Sequence, residues 1–209
     1  MGADSMLDLH SWLILAAVCL FGAMTPGASL AVVTRHTVLS GARGGVAAGL
    51  AHAGGIAVYA AASVAGLAAL LHRFPWLETL ISAAGALFLL WLAWKSWRAA
   101  AGPAPEAEVQ ATHGAARDGF LIALLNPKVA LFFLALFSQF IEADMGTPAR
   151  IQMATTAVVI DGAWYSLFAL VLARGPAPAW LARHHDWLER GTALILAGLA
   201  LAVLARIAL

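Results

Sequence analysis

Six stretches of this chain, 11–34, 46–71, 75–97, 118–141, 150–173 and 187–208, are each long and apolar enough to cross a membrane. A hydrocarbon core of about 30 Å takes about 20 helical residues. With that many spans in 209 residues, no soluble domain fits anywhere. Composition agrees: 62% of the residues are hydrophobic and 11% charged, against about 45–50% and about 25% in soluble domains. The expected fold is an all-α membrane protein of six transmembrane helices, one integral membrane domain over 1–209. Twelve Lys and Arg against 11 Asp and Glu leave a net charge of +1, so nothing points to nucleic acid. Cys19 is the only cysteine, which excludes an intrachain disulfide scaffold or a Cys-rich zinc site. Met1 to His10 carries Asp4 and Asp8 but no Lys or Arg. It lacks the positive segment of a secretory signal, and the first apolar stretch is expected to stay in the mature protein.

The connections are short except for 98–117, where Gly102, Pro103, Pro105, Glu106, Glu108 and Gln110 mark a polar linker between two halves, 11–97 and 118–208. Short cytoplasmic loops carry the excess of Lys and Arg. With the N-terminus outside, the inner set is Arg35, Arg43, Lys95, Arg98, Arg117, Arg174, Arg183 and Arg190; the outer set is Arg73, Arg150 and Arg206. Eight against three favours both termini on the outer side. Three spans before the linker and three after it would then run in opposite directions, as two inverted repeats.

The first span of each half is interrupted at a comparable place, by Thr25-Pro26-Gly27 and by Asn126-Pro127-Lys128, an offset of 101 residues. Proline inside a helix removes a hydrogen bond and clashes with the preceding turn, whereas at the first position of a new helix it costs little. Thr25 and Asn126 are therefore expected N-caps of second half-helices. Unwound backbone at membrane depth is tolerated only where it is buried in protein or lines a cavity. The paired breaks thus point to a binding site for a small molecule, although either proline alone would only suggest a kink.

Ionisable groups inside spans cost about 2.5–3.5 kcal/mol on insertion scales and usually face a pathway or a partner. Lys128 and Asp161 fall near the centres of their spans. A lysine at the start of a half-helix meets the positive end of the helix dipole and needs a carboxylate nearby, for which Asp161 is the obvious candidate. The two could form an ion pair that opens during a cycle, a permanent structural salt bridge, or a pair of contacts for a zwitterionic substrate. Asp161 could also carry a proton.

His52 is a further proton acceptor, or a side chain hydrogen-bonded between helices. Ser29, Tyr59 and Tyr165 are candidates to line the cavity, and the tyrosines could equally be packing residues with one satisfied hydroxyl. Gly45 with Gly49, and Ala51 with Gly55, are small-xxx-small pairs that let helix backbones approach closely and permit a homodimer without demanding one. Trp76, Trp91, Trp94, Trp97, Trp180 and Trp187 lie near span ends as interfacial anchors. His184, His185 and Asp186 are adjacent and lack a third ligand at a suitable spacing, so no metal site is expected there. No phosphate-binding glycine loop occurs, which argues against ATP as an energy source or cofactor.

With the two breaks in view, the chain resembles the lysine exporter and homoserine/threonine resistance family of amino-acid efflux proteins (LysE/RhtB). The resemblance rests on Thr25-Pro26-Gly27, the run from Gly41 to Gly49, Ala84-Gly85-Ala86-Leu87 through Trp91, Gly119-Phe120 leading to Asn126-Pro127-Lys128, and Asp161 with Trp164. The sequence departs from the family pattern, which continues Thr-Pro-Gly with Pro-Asn or a similar pair, in that Ala28-Ser29 follow Gly27. The resemblance implies export of amino acids or close derivatives across the bacterial plasma membrane by proton exchange, with no enzymatic activity and no cofactor. Divalent metal efflux is the nearest alternative, but Asp161, His52 and Cys19 are scattered over three spans and are a poor ligand set. A non-transporting scaffold would need no paired breaks.

Overall fold

The computed structural model describes residues 6–74, 76–102, 114–142, 145–175 and 183–208. They form seven helices and no strand: α1 Leu9–Met24, α2 Ala28–Arg73, α3 Leu77–Ala99, α4 Ala115–Leu124, α5 Pro127–Phe137, α6 Thr147–Leu172 and α7 His185–Ala208. Most of the expected linker, including Pro103, Pro105, Glu106, Glu108 and Gln110, lies outside the described residues, as does Trp180.

By length and composition α2, α3, α6 and α7 can each cross a membrane, and α4 with α5, bent by 57° at their break, count as a fifth if the pair is one span. The remaining expected span, 11–34, is not a separate long helix. Its first part is the 16-residue α1, and its second part runs directly into the next span as α2. A straight 46-residue helix would reach about 69 Å, far more than a bilayer core. Gly41 breaks it, with φ 68° and ψ −168°, a backbone region open essentially to glycine alone. A single glycine thus stands where a loop was expected between the first two spans.

The start of α1 is set by Asp8, whose carboxylate accepts from the His10 and Ser11 backbone N–H groups. Hydrogen bonding from Ser11, then His10, holds that carboxyl below the usual carboxylate range. Packing is inside-out. Large apolar side chains such as Leu50, Leu80, Val159, Leu167, Leu194 and Leu201 are exposed, while His52, Asp161, His185, Glu189 and Thr192 are buried. In water such a surface would be a liability; in lipid it is the required outer face.

Among the described residues, α2 packs along α6 and α4, α3 along α7, and α1 against α6 and α7. Glycines bring these helices close. A Cβ added at Gly49 would stand 2.8 Å from the Tyr165 Cβ, and one at Gly55 would stand 2.6 Å from the Ala123 Cβ. The expected small-residue face is therefore used within the chain, between α2 and its neighbours α6 and α4. Gly85 likewise admits Ser138 and Gln139, whose side chains hydrogen-bond among themselves and to the backbone of α3 and α5.

Candidate functional site

Both expected breaks exist, and each leaves backbone groups that need partners. At the second break Asn126 is the N-cap of α5, its side-chain oxygen accepting from the Lys128 N–H at 3.0 Å. That N–H would otherwise have continued the helix onto the Leu124 carbonyl. The freed carbonyl instead accepts from the Tyr59 hydroxyl at 2.5 Å, so Tyr59 braces the break and stands off the cavity wall where it was expected. Replacing Tyr59 with Phe should leave the part-buried Leu124 carbonyl unsatisfied, at a cost of about 1–3 kcal/mol. Thermal unfolding of purified protein would show this as a midpoint lowered by about 2–4 °C per kcal/mol.

The first break is built differently from the expectation. Thr25 is the C-cap of α1, and its hydroxyl donates back to the Phe21 carbonyl at 2.9 Å. The N-cap of α2 is Gly27, in extended backbone and with no side-chain cap. Thr25 also meets α7, its hydroxyl lying 3.2 Å from that of Thr192.

Between the breaks lies a cavity of about 640 Å³. Its wall includes Thr25, Pro26, Gly27 and Ser29 from the first break, Lys128 from the second, His52 from α2, and Asp161 and Tyr165 from α6. Asn126 shapes the site by capping, without facing it. Pro127 opens α5. Cys19, Phe88, Trp91, Phe132 and Leu196 supply much of the apolar wall.

Asp161 does not pair with Lys128 among the described residues. Its Oδ2 lies 2.8 Å from His52 Nδ1, and both side chains are buried. The His52 ring also meets Tyr165 edge-on at 4.8 Å, and the Tyr165 hydroxyl faces Ser29. Depth along the spans suggested the lysine as partner. Rotation about the helix axes decides otherwise, because His52 and Asp161 sit where α2 and α6 pack face to face.

Four ionisable residues escape a reading by sequence as cavity or partner groups. Lys95 and Glu189 line the cavity, and His36 pairs with Asp118 at 3.0 Å between α2 and α4. Lys95 and Lys128 are the chain's two lysines, and both face this cavity. Lys95 Nζ lies 4.6 Å from the centre of the Trp91 ring, so Trp91 is a cavity residue as well as an interfacial anchor. The available signals were helical spacings: Phe88, Trp91, Leu92, Lys95, Ser96 and Ala99 share one face of α3, and Glu189, Thr192 and Leu196 one face of α7. His185, outside this wall, lies 3.2 Å from the Ala99 carbonyl through Nε2.

The family model "LysE type translocator" matches residues 20–206. The threonine efflux protein of Escherichia coli K12 is 26% identical over 91% of this chain and 95% of its own length. A protein of the same strain described as the uncharacterized membrane protein YahN is 32% identical, covering 78% of this chain and 75% of its own length. The threonine efflux protein of Salmonella typhi is 24% identical over 88% of this chain and 92% of its own length. No solved structure matches. Matched over nearly its whole length, the chain belongs to the LysE type translocator family of membrane transporters and is not an enzyme.

Proposed function

We propose that this protein exports zwitterionic amino acids or close derivatives from the bacterial cytoplasm through the inner membrane, in exchange for protons. The observation that carries this reading is the cavity itself, bounded by residues of both helix breaks and lined by four charged side chains, Lys95, Lys128, Asp161 and Glu189. Counting His52 as neutral, these four side chains sum to zero charge, which suits a dipolar solute better than a cation or an anion. The threonine efflux relatives support an amino acid as that solute. The positive end of α5 and Lys128 would take the substrate carboxylate. Asp161, buried against His52, would carry the proton.

On this reading α1, the first arm of α2, the rest of α2 and α3 form one repeat (11–97), and α4 to α7 form its inverted counterpart (118–208), with both termini outside. The packing supports it: α2 with α6 and α3 with α7 pair corresponding helices, while α1 against α6 mirrors α4 against α2. Rocking of one repeat against the other would expose the cavity alternately.

The test is release of labelled amino acids from preloaded proteoliposomes with and without an imposed proton gradient. Gradient-accelerated release of neutral zwitterionic amino acids is expected. Failure of every amino acid to move under either condition overturns the reading.

A further inference from the structure

Glu189 is 3% exposed, lines the cavity, and its Oε2 is buried without a hydrogen-bond partner among the described residues. A buried carboxylate oxygen left in that condition is costly unless another group completes it. Lys95 and Lys128 lie on the same cavity wall as Glu189. Even so, Lys128 and Glu189 do not close into an ion pair among the described residues. The other cavity carboxylate is committed, because Asp161 already holds His52. Lys95 is folded over Trp91. What stands open is one ammonium at the start of α5 and one carboxylate on α7, in the same cavity but unjoined.

Both groups are tied to the helix breaks. Lys128 follows Asn126, which caps α5 through the Lys128 N–H. One turn beyond Glu189, Thr192 meets the Thr25 hydroxyl at the first break. A ligand held by both would therefore bridge the two interrupted spans, and its departure would release them from each other.

We propose that Glu189 and Lys128 form a two-point clamp for the head group of an α-amino acid: Glu189 accepts from the substrate ammonium and Lys128 donates to its carboxylate. The proposal rests on the amino-acid export reading and sharpens it. It moves the ammonium contact from Asp161 to Glu189 and leaves the Asp161–His52 pair for the proton. It also sets a specificity rule: the ligand must carry an ammonium and a carboxylate on one carbon, whatever its side chain.

The experiment measures binding of L-threonine, N-acetyl-L-threonine and L-threonine amide to the purified full chain in detergent, for wild type, Glu189→Gln and Lys128→Gln. Wild type is expected to bind threonine and to reject both analogues. Glu189→Gln should bind threonine about 10–100-fold more weakly, the scale of one lost charge pair. It should then no longer distinguish threonine from N-acetylthreonine, which lacks the ammonium. Lys128→Gln should show the converse, losing discrimination against the amide. Each variant is judged by a ratio of two ligands on the same preparation, so a partly unfolded fraction does not move the readout. If Glu189→Gln keeps the wild-type preference for threonine over N-acetylthreonine, the clamp is overturned and the export reading stands. If wild type binds none of the three and proteoliposomes release no amino acid, both fall.

Discussion

Replacing Asp161 with Asn is expected to reduce gradient-driven export to background, a loss of about 100-fold or more where a positioned proton-transfer group is removed, while the protein still folds and still exchanges substrate for substrate. The reason lies in the geometry of the pair. Asp161 Oδ2 and His52 Nδ1 are 2.8 Å apart between α2 and α6, and both side chains face the cavity. Asparagine has the same shape and can keep a hydrogen bond to the imidazole, so the packing of α2 on α6 has no cause to fail. It cannot take up or release a proton. A carrier locked in the neutral form should still bind its solute and swing with it, which counterflow of labelled against unlabelled substrate measures, yet a proton gradient should no longer drive net movement. Undiminished gradient-driven export in Asp161→Asn would remove Asp161 from the coupling step. Loss of counterflow together with net export would assign it to substrate binding instead.

The features legible in the sequence were those that a local rule controls. Proline at 26 and 127 broke two spans because it has no N–H to give and clashes with the turn before it, and Asn126 capped the following helix as its side chain allows. Thr25 obeyed a different option open to the same residue type: its hydroxyl turned back onto the Phe21 carbonyl, a bond that competes with capping forward. Side-chain partners across the bundle were not legible in the same way. Lys128 and Asp161 were matched by depth, but partners are chosen by which face of each helix meets the next, and that placed His52 against Asp161. Glu189 escaped for a related reason. Near the end of a span an acid reads as an interfacial group, and only the packing of α7 against α3 and α1 turns it inward. Gly41 shows the limit from the backbone side, since a positive φ cannot be told from an ordinary loop glycine until the helices on either side are placed.

Gly119→Val should be the most damaging single substitution in the scaffold. α4 lies against α2 with Gly119 directly on the Ala48 carbonyl, so that any Cβ at 119 overlaps the α2 backbone, while one turn further along Ala123 faces Gly55. Within lipid no hydrophobic force drives helices together; close packing and polar contacts do it. A backbone carbonyl cannot rotate aside as a side chain end can, so the two helices must separate along the whole seam. Overpacking of a close contact costs about 1–3 kcal/mol and sometimes more, which predicts a melting midpoint lowered by about 2–12 °C and a smaller monodisperse fraction on extraction. Gly198→Val is the matched control: a Cβ there meets nothing within 4 Å, and its midpoint should stay near wild type. Equal midpoints for the two variants would show that the seam tolerates separation. The consequence for transport follows from position. Asp118, beside Gly119, holds His36 on the first arm of α2 at 3.0 Å, and α4 ends at the break that presents Lys128. Prising α4 from α2 therefore displaces the ammonium end of the cavity, so whatever Gly119→Val protein survives extraction should also bind threonine more weakly than the Gly198→Val control.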